Sequence, residues 1–280
     1  MDRALEVTTH ILIVALLTFK LAAVVRGTRY RDRFHEQINA TPEARSVFYR
    51  RFMVTSWAVA ALVPVIVLAS PDLTATDVGW AWPSGDGLDY LFAAAMVVAL
   101  GLGGLLARHR MRRGHVYASR ARSASIVPQT RRERRLAVAV SVTAGITEEA
   151  IYRGLFIAAG VLVYDLPKLL VVVASLVLFV AGHTYQGRLA LLGIAYSGSV
   201  FTVLYLVSGS LLLAIVVHVW QDLVALLLIP ARTTAPASTE AEPALEITRS
   251  DQVTLAGPPS PQPTTPQPTP RPVVRAPIPR

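Results

Sequence analysis

Cysteine is absent from the 280 residues. That excludes disulfides, thiolate-bound zinc and a cysteine nucleophile. Charge is scarce as well: Asp, Glu, Lys and Arg together make 16%, against 53% hydrophobic residues. A soluble domain with so little charge is unusual, and the balance suits a polytopic membrane protein. The net charge of +9 does not imply nucleic acid as a partner. The basic residues cluster in loops beside apolar segments, as topology signals and anionic-lipid contacts do. The first apolar run has no small-residue cleavage site and is read as a retained anchor.

What is present is a series of long apolar runs. A transmembrane helix needs about 20 mostly apolar residues. The candidates are Val7–Val25, Phe52–Ser70, Tyr90–Ala107, Leu136–Val163, Lys168–Gly182, Leu189–Val207 and Leu211–Ile229. The expected fold is therefore all-α, a polytopic transmembrane helical bundle of about seven spans, six to eight. The loops Arg26–Gln37 and Ala107–Arg122, continued by Arg131–Arg135, are basic; Pro71–Asp89 holds four aspartates and no Lys or Arg. The positive-inside rule puts the basic loops in the cytosol and the acidic loop outside, with Trp80 and Trp82 at the outer interface. Seven spans then give an outside N-terminus, a cytosolic C-terminal tail and a multi-pass protein of the plasma membrane. Residues 230–280 are rich in proline and poor in aromatic residues, a composition expected to be disordered or polyproline II. The chain divides on this reading into residues 1–135 (first helices and basic loops), 136–229 (core) and 230–280 (tail).

The stretch Thr143–Phe156, TAGITEEAIYRGLF, breaks the apolar pattern with Glu148, Glu149 and Arg153. A charge at a transmembrane helix centre costs about 2.5–3.5 kcal/mol on insertion scales, so such residues are functional candidates by default. Glu149 and Arg153 stand at i, i+4, the spacing of an ion pair. Glu148 is turned about 100° away and has no such partner in its helix. A carboxylate facing a wet cavity can act as a general base. Two later helices supply further polar groups: His183 at the end of the fifth, and His218 with Asp222 at i, i+4 in the seventh. Tyr196, Ser197, Ser199 and Thr202 on the sixth read as packing or interhelical hydrogen bonds. At 1.5 Å per residue, Glu148 lies roughly 20 Å from Arg135 and His218 roughly 18 Å from Pro230, so the two reach a similar depth. His35, His109 and His115 sit among arginines and read as solvated, and the run Arg131–Arg135 reads as a topology and headgroup determinant.

Three motifs in order, each in its own apolar helix, resemble a known family. They are E-E-x-x-x-R at Glu148, Glu149 and Arg153, F-x-x-x-H at Phe179 and His183, and H-x-x-x-D at His218 and Asp222. The set is similar to that of the CAAX protease and bacteriocin-processing (CPBP, or Abi) family of intramembrane proteases. The resemblance covers about Leu136 to Ile229. It implies an intramembrane endopeptidase acting on a membrane-associated protein or peptide, with membrane lipids as the other partner. On that resemblance Glu148 and His183 would activate water, and His218 and Asp222 would line the oxyanion side. Glu149, Arg153 and Phe179 would support them. The CAAX-processing members usually carry Asn where this chain has Asp222. Asn can donate to an oxyanion; ionised Asp cannot.

Two alternatives stay open. Glu148, His183, His218 and Asp222 are acceptable zinc ligands by type, but there is no H-E-x-x-H. A metal-free glutamate mechanism without cofactor is the expectation. The other alternative is a non-enzymatic membrane protein (a pseudoprotease, bacteriocin-immunity protein or scaffold) whose polar cluster binds a partner.

Overall fold

The computed structural model describes residues 2–85, 87–115 and 124–229. The expected tail from residue 230 onward lies outside them, as does the middle of the second basic loop. Among the described residues there is no strand, and eight helices carry the fold. They are α1 (Asp2–Arg29), α2 (Arg31–Asn39), α3 (Ala44–Ala69), α4 (Leu88–Arg112), α5 (131–163), α6 (Lys168–Ala181), α7 (Arg188–Ser208) and α8 (Leu211–Leu228). Each of the seven predicted spans coincides with one long helix, and α2 is the short addition in a basic loop. Five stretches, Ala4–Arg29, Ala44–Ala69, Leu88–Arg112, Arg188–Ser208 and Leu211–Leu228, are long and apolar enough to cross a membrane. Of the remaining two, α5 carries the charges of the motif and α6 has 14 residues. Large apolar side chains cover the outside, among them Leu68, Leu169, Leu192 and Val54, each more than two-thirds exposed. In water such a surface would aggregate; against acyl chains it is the solvated state. The chain is an all-α, multi-pass membrane protein.

Local chemistry sets the irregularities. Pro64 has no N–H to give to Ala60 and its ring crowds that carbonyl, and α3 is interrupted just there, at Ala61. Helix α5 starts as an α-helix over Arg131–Glu148 and turns π-helical over Glu149–Leu155 and again over Ala159–Val163. Such stretches occur mostly as single-turn bulges, frequently at functional sites. The change of register falls between the two glutamates of the motif.

Helices α5 and α8 form the centre: α8 packs against α5, α7 and α4, and α5 also against α3. The α5–α8 approach rests on Gly145, where a Cβ would stand 2.5 Å from Val219 Cγ2 and 3.3 Å from the Ile215 carbonyl. The second neighbour is backbone and cannot swing aside. Gly145→Ala is expected to push the helices apart and destabilise the fold by about 1–3 kcal/mol. A lower thermal midpoint of the purified protein in detergent checks this; an unchanged midpoint would mean the helices separate freely.

The acidic loop seals one end. Leu211 N–H donates to Gly79 O (2.9 Å), Ser84 N–H to Ser208 O (3.0 Å) and Tyr205 Oη to Asp77 O (3.2 Å). Gly154 allows the approach, because a Cβ there would lie 2.7 Å from Val78 O.

The opposite, basic end corrects two expectations. Glu133, in the run Arg131–Arg135, is buried rather than turned to headgroups. Its Oε2 accepts from the Gln129 and Thr130 amides (2.7 and 3.0 Å), and Thr130 Oγ1 accepts from Glu133 N–H (3.1 Å). This is a capping box, and the T-x-x-E spacing was present in the sequence as its signal. Glu133 Oε1 also pairs with buried Arg45 at 3.0 Å. His35 is not simply solvated. Its Nδ1 lies 2.7 Å from Ser125 Oγ, and its Nε2–H donates to Tyr185 O at 3.0 Å. It thereby ties α2 to the turn just after His183. His109 and His115 are exposed, as expected.

Glu133 lies ahead of the membrane-crossing part of α5. Burial pushes its carboxyl up, but the Gln129 and Thr130 amides and the Arg45 guanidinium outweigh burial and hold it below its ordinary value of 4.5. A carboxyl held low adds stability that is present above the ordinary value and is lost as the pH falls through the folded-state value. Acidification from about pH 6 to about pH 3 should therefore lower the thermal midpoint more in the wild type than in Glu133→Gln. Equal acid sensitivity of the two proteins would remove Glu133 from this role.

Candidate active site

Three helices bring the motif residues together. Glu148 and Glu149 sit at the α-to-π junction of α5, His183 follows α6, and His218 and Asp222 lie one turn apart on α8. Arg153 and Glu149 pair at 3.0 Å, and both are almost wholly buried. The pair is not confined to its own helix. Glu149 Oε1 also accepts from His218 Nδ1 at 2.7 Å, joining α5 to α8. Arg153 donates to Gly198 O at 2.9 Å and to Thr202 Oγ1 at 3.3 Å, joining α5 to α7. Its guanidinium lies over the Phe179 ring, 4.2 Å from the centroid, a cation–π contact from α6. Buried ions need this many partners to offset their desolvation.

The two imidazoles are oriented from behind. A carbonyl and a carboxylate can only accept, so His183 Nδ1–H donates to Phe179 O at 2.8 Å and His218 Nδ1–H to Glu149. That turns both Nε2 atoms toward Glu148 Oε2, at 3.8 Å for His183 and 3.9 Å for His218. Rings hold the His218 plane: Phe201 stacks on it with centroids 4.6 Å apart and 15° between planes. His218 Nε2 also lies 3.9 Å from Asp222 Oδ2. Glu148 Oε2 is buried and has no hydrogen-bond partner among the described residues. A buried carboxylate oxygen left this way in a native fold calls for an explanation, and a reacting group is one.

Two cavities meet at Glu148 and His183. One, of about 610 Å³, is lined from α1, α2 and α3; the other, of about 520 Å³, is lined from α7 and α8 and includes His218 and Asp222. Phe48, Phe52 and Tyr185 line both. Helices α1–α3 build much of the first cavity wall.

Some sequence expectations are redrawn. Of the α7 group, Thr202 alone serves another helix; Ser197 and Ser199 donate to Gly193 O and Ala195 O one turn back in α7, and Tyr196 is exposed. Phe201, Gly198 and Tyr185 were not singled out, because an apolar ring, a glycine carbonyl and a turn residue carry no local mark of the site. Lys20 also lines the first cavity; its single charge inside an apolar run was a usable signal. Zinc was the alternative that the residue types allowed. Among the described residues no group of three or more His, Asp or Glu side chains is gathered to hold a metal ion.

Neither a curated protein nor a solved structure matches the chain. Residues 133–224, which are 92 of the 280, match a family model described as Type II CAAX prenyl endopeptidase Rce1-like. The matched stretch contains Glu148, Glu149, Arg153, Phe179, His183, His218 and Asp222. The resemblance carried by the three motifs and the family match coincide over residues 133–224.

Proposed function

We propose that this chain is an intramembrane endopeptidase that hydrolyses a peptide bond of a membrane-associated protein or peptide. The observation that carries the reading is Glu148 Oε2, buried, without a hydrogen-bond partner, and flanked at 3.8 and 3.9 Å by two oriented imidazole nitrogens on a cavity wall.

The residues divide the work by position. Glu148 and His183 Nε2 hold a water between them, and Glu148 takes one of its protons as the oxygen attacks the carbonyl carbon of the substrate. His218, protonated at Nε2, donates to the oxyanion that forms. Asp222, with Oδ2 3.9 Å from that nitrogen, acts on the His218 ring through its charge and gives no hydrogen bond to the oxyanion while ionised. The proton on Glu148 then passes to the leaving amine, and the C–N bond breaks. Glu149 and Arg153 fix His218 from behind. Phe179 serves twice, through its carbonyl to His183 and its ring to Arg153. No cofactor enters these steps.

The location belongs to the same reading. The cavity lies toward the basic end of the bundle, which the positive-inside rule assigns to the cytosol. Substrates would therefore enter from the cytosolic half of the plasma membrane.

The test compares protein termini, mapped by mass spectrometry, in membranes of cells expressing matched amounts of wild type or His183→Ala. New peptide ends that appear only with the wild type support the endopeptidase and identify its substrate. Identical termini, with both proteins folded, would leave the polar cluster as a binding or scaffold element.

A further inference from the structure

The first cavity has an electrostatic asymmetry that the hydrolytic steps do not use. Lys20 lies within the membrane-crossing stretch Ala4–Arg29 and lines this cavity together with Arg26 and Arg33. Glu148 is the one carboxylate among the cavity's lining residues. Lys20 Nζ rests over the Tyr152 ring, 5.0 Å from its centroid, and makes no salt bridge among the described residues. Tyr152 is four residues from Glu148 on α5, and Lys20 and Glu148 line the same cavity. A charge inside an apolar helix without a paired acid is costly and marks a functional position.

Two occupants of an anion site can be compared by depth. Lys20 lies six residues from Arg26, roughly 9 Å deeper along α1. A lipid headgroup phosphate belongs at the level of Arg26 and Arg33, where the helix leaves its apolar run. An anion at the level of Lys20 has to arrive on an apolar chain that enters the cavity, and the chain that must enter is the one placed over Glu148. The ammonium, a point charge with three donors on a flexible stem, accepts a carboxylate in many orientations.

We propose that Lys20 is a substrate-recognition residue, whose ammonium binds a carboxylate of the peptide beside the bond over Glu148. The carboxylate comes from the peptide's C-terminus or from an acidic side chain. This rests on the endopeptidase reading for its consequence, a preference for acidic or chain-terminal sequences, while the binding itself can be measured without turnover.

The chain has two lysines, Lys20 and Lys168. Dimethylation with ¹³C-formaldehyde keeps their charge and labels both lysines and the N-terminal amine; the Lys20 signal is assigned as the one lost in Lys20→Arg, and the Lys168 signal with Lys168→Arg. The full chain in phosphatidylcholine nanodiscs is titrated with three peptides: acetyl-Leu-Val-Leu-Leu with a free carboxylate, its C-terminal amide, and the amide of acetyl-Leu-Val-Glu-Leu. The expected result is that one or both carboxylate peptides move the Lys20 signal and bind about tenfold or more tighter than the neutral amide, as a charge-assisted contact implies. The first peptide alone identifies the terminal source and the third the side-chain source. Lys20→Met should abolish the preference, measured by peptide fluorescence, and Lys20→Arg should keep it. The proposal is overturned if the neutral amide moves the signal as much as the acids do. It is equally overturned if no peptide moves it, if phosphatidylglycerol alone does, or if Lys20→Met retains the preference. Absence of proteolysis with this binding intact would count against the endopeptidase and not against the subsite.

Discussion

Glu148→Gln is expected to slow peptide hydrolysis about 10³-fold, within the range that a positioned general base contributes. Gln has the same shape and cannot take a proton from water. The exchange removes little else: Glu148 Oε2 has no hydrogen-bond partner among the described residues, and what is lost with its charge is the two longer contacts to His183 and His218, at 3.8 and 3.9 Å. The thermal midpoint should stay near the wild-type value, because a buried carboxylate oxygen without a hydrogen bond is replaced by a neutral amide of the same shape. Turnover of a substrate identified from the mapped termini, measured with reconstituted protein, checks the first part, and thermal unfolding in the same lipid checks the second. Retention of more than a tenth of wild-type turnover would mean that another group activates the water.

Arg153→Met should act in the opposite way, on the fold first. Removing one partner of a buried ion pair leaves the other uncompensated and typically costs about 3–5 kcal/mol. Here the loss also frees Gly198 O and Thr202 Oγ1 on α7 and the Phe179 ring on α6. Three helices lose their common anchor, and His218 loses the fixed carboxylate behind it. The expected result is a strongly lowered unfolding midpoint in a graded sodium dodecyl sulfate titration. The double variant Arg153→Met with Glu149→Gln should recover part of that loss, since the stranded charge is gone; a double-mutant cycle measures the coupling. Additive losses would mean that the two residues are not energetically paired.

The contrast between Glu148 and Glu149 was only half visible in the sequence. Spacing alone pairs Glu149 with Arg153 and leaves Glu148 facing away, because both statements concern one helix. That His218 gives its Nδ1–H to Glu149, with Asp222 the more distant acid at 3.9 Å, depends on how α8 is rotated against α5. The i, i+4 spacing of His218 and Asp222 puts them on one helix face and does not say which acid takes the His218 proton. A buried ion in α5 makes the stronger hydrogen bond, and Gly145 lets α8 come close enough to make it.

The same division holds through the protein. Apolar run lengths, charged loops and i, i+4 spacings are local quantities, and the sequence by itself determined the helical bundle, its seven long helices and the three motifs. Other features needed the tertiary structure. They include the capping and Arg45 pairing of Glu133, the bridge made by His35, the π-helical turn after Glu148 and the opening of Lys20 into the same cavity as Glu148. Each depends on which faces of separate helices meet, at what depth and in what rotation. Residues such as Arg45 and Glu133, 88 positions apart, show no periodicity relative to one another. In an apolar bundle the few polar groups must find partners away from lipid, and only the packed helices decide which partners are within reach.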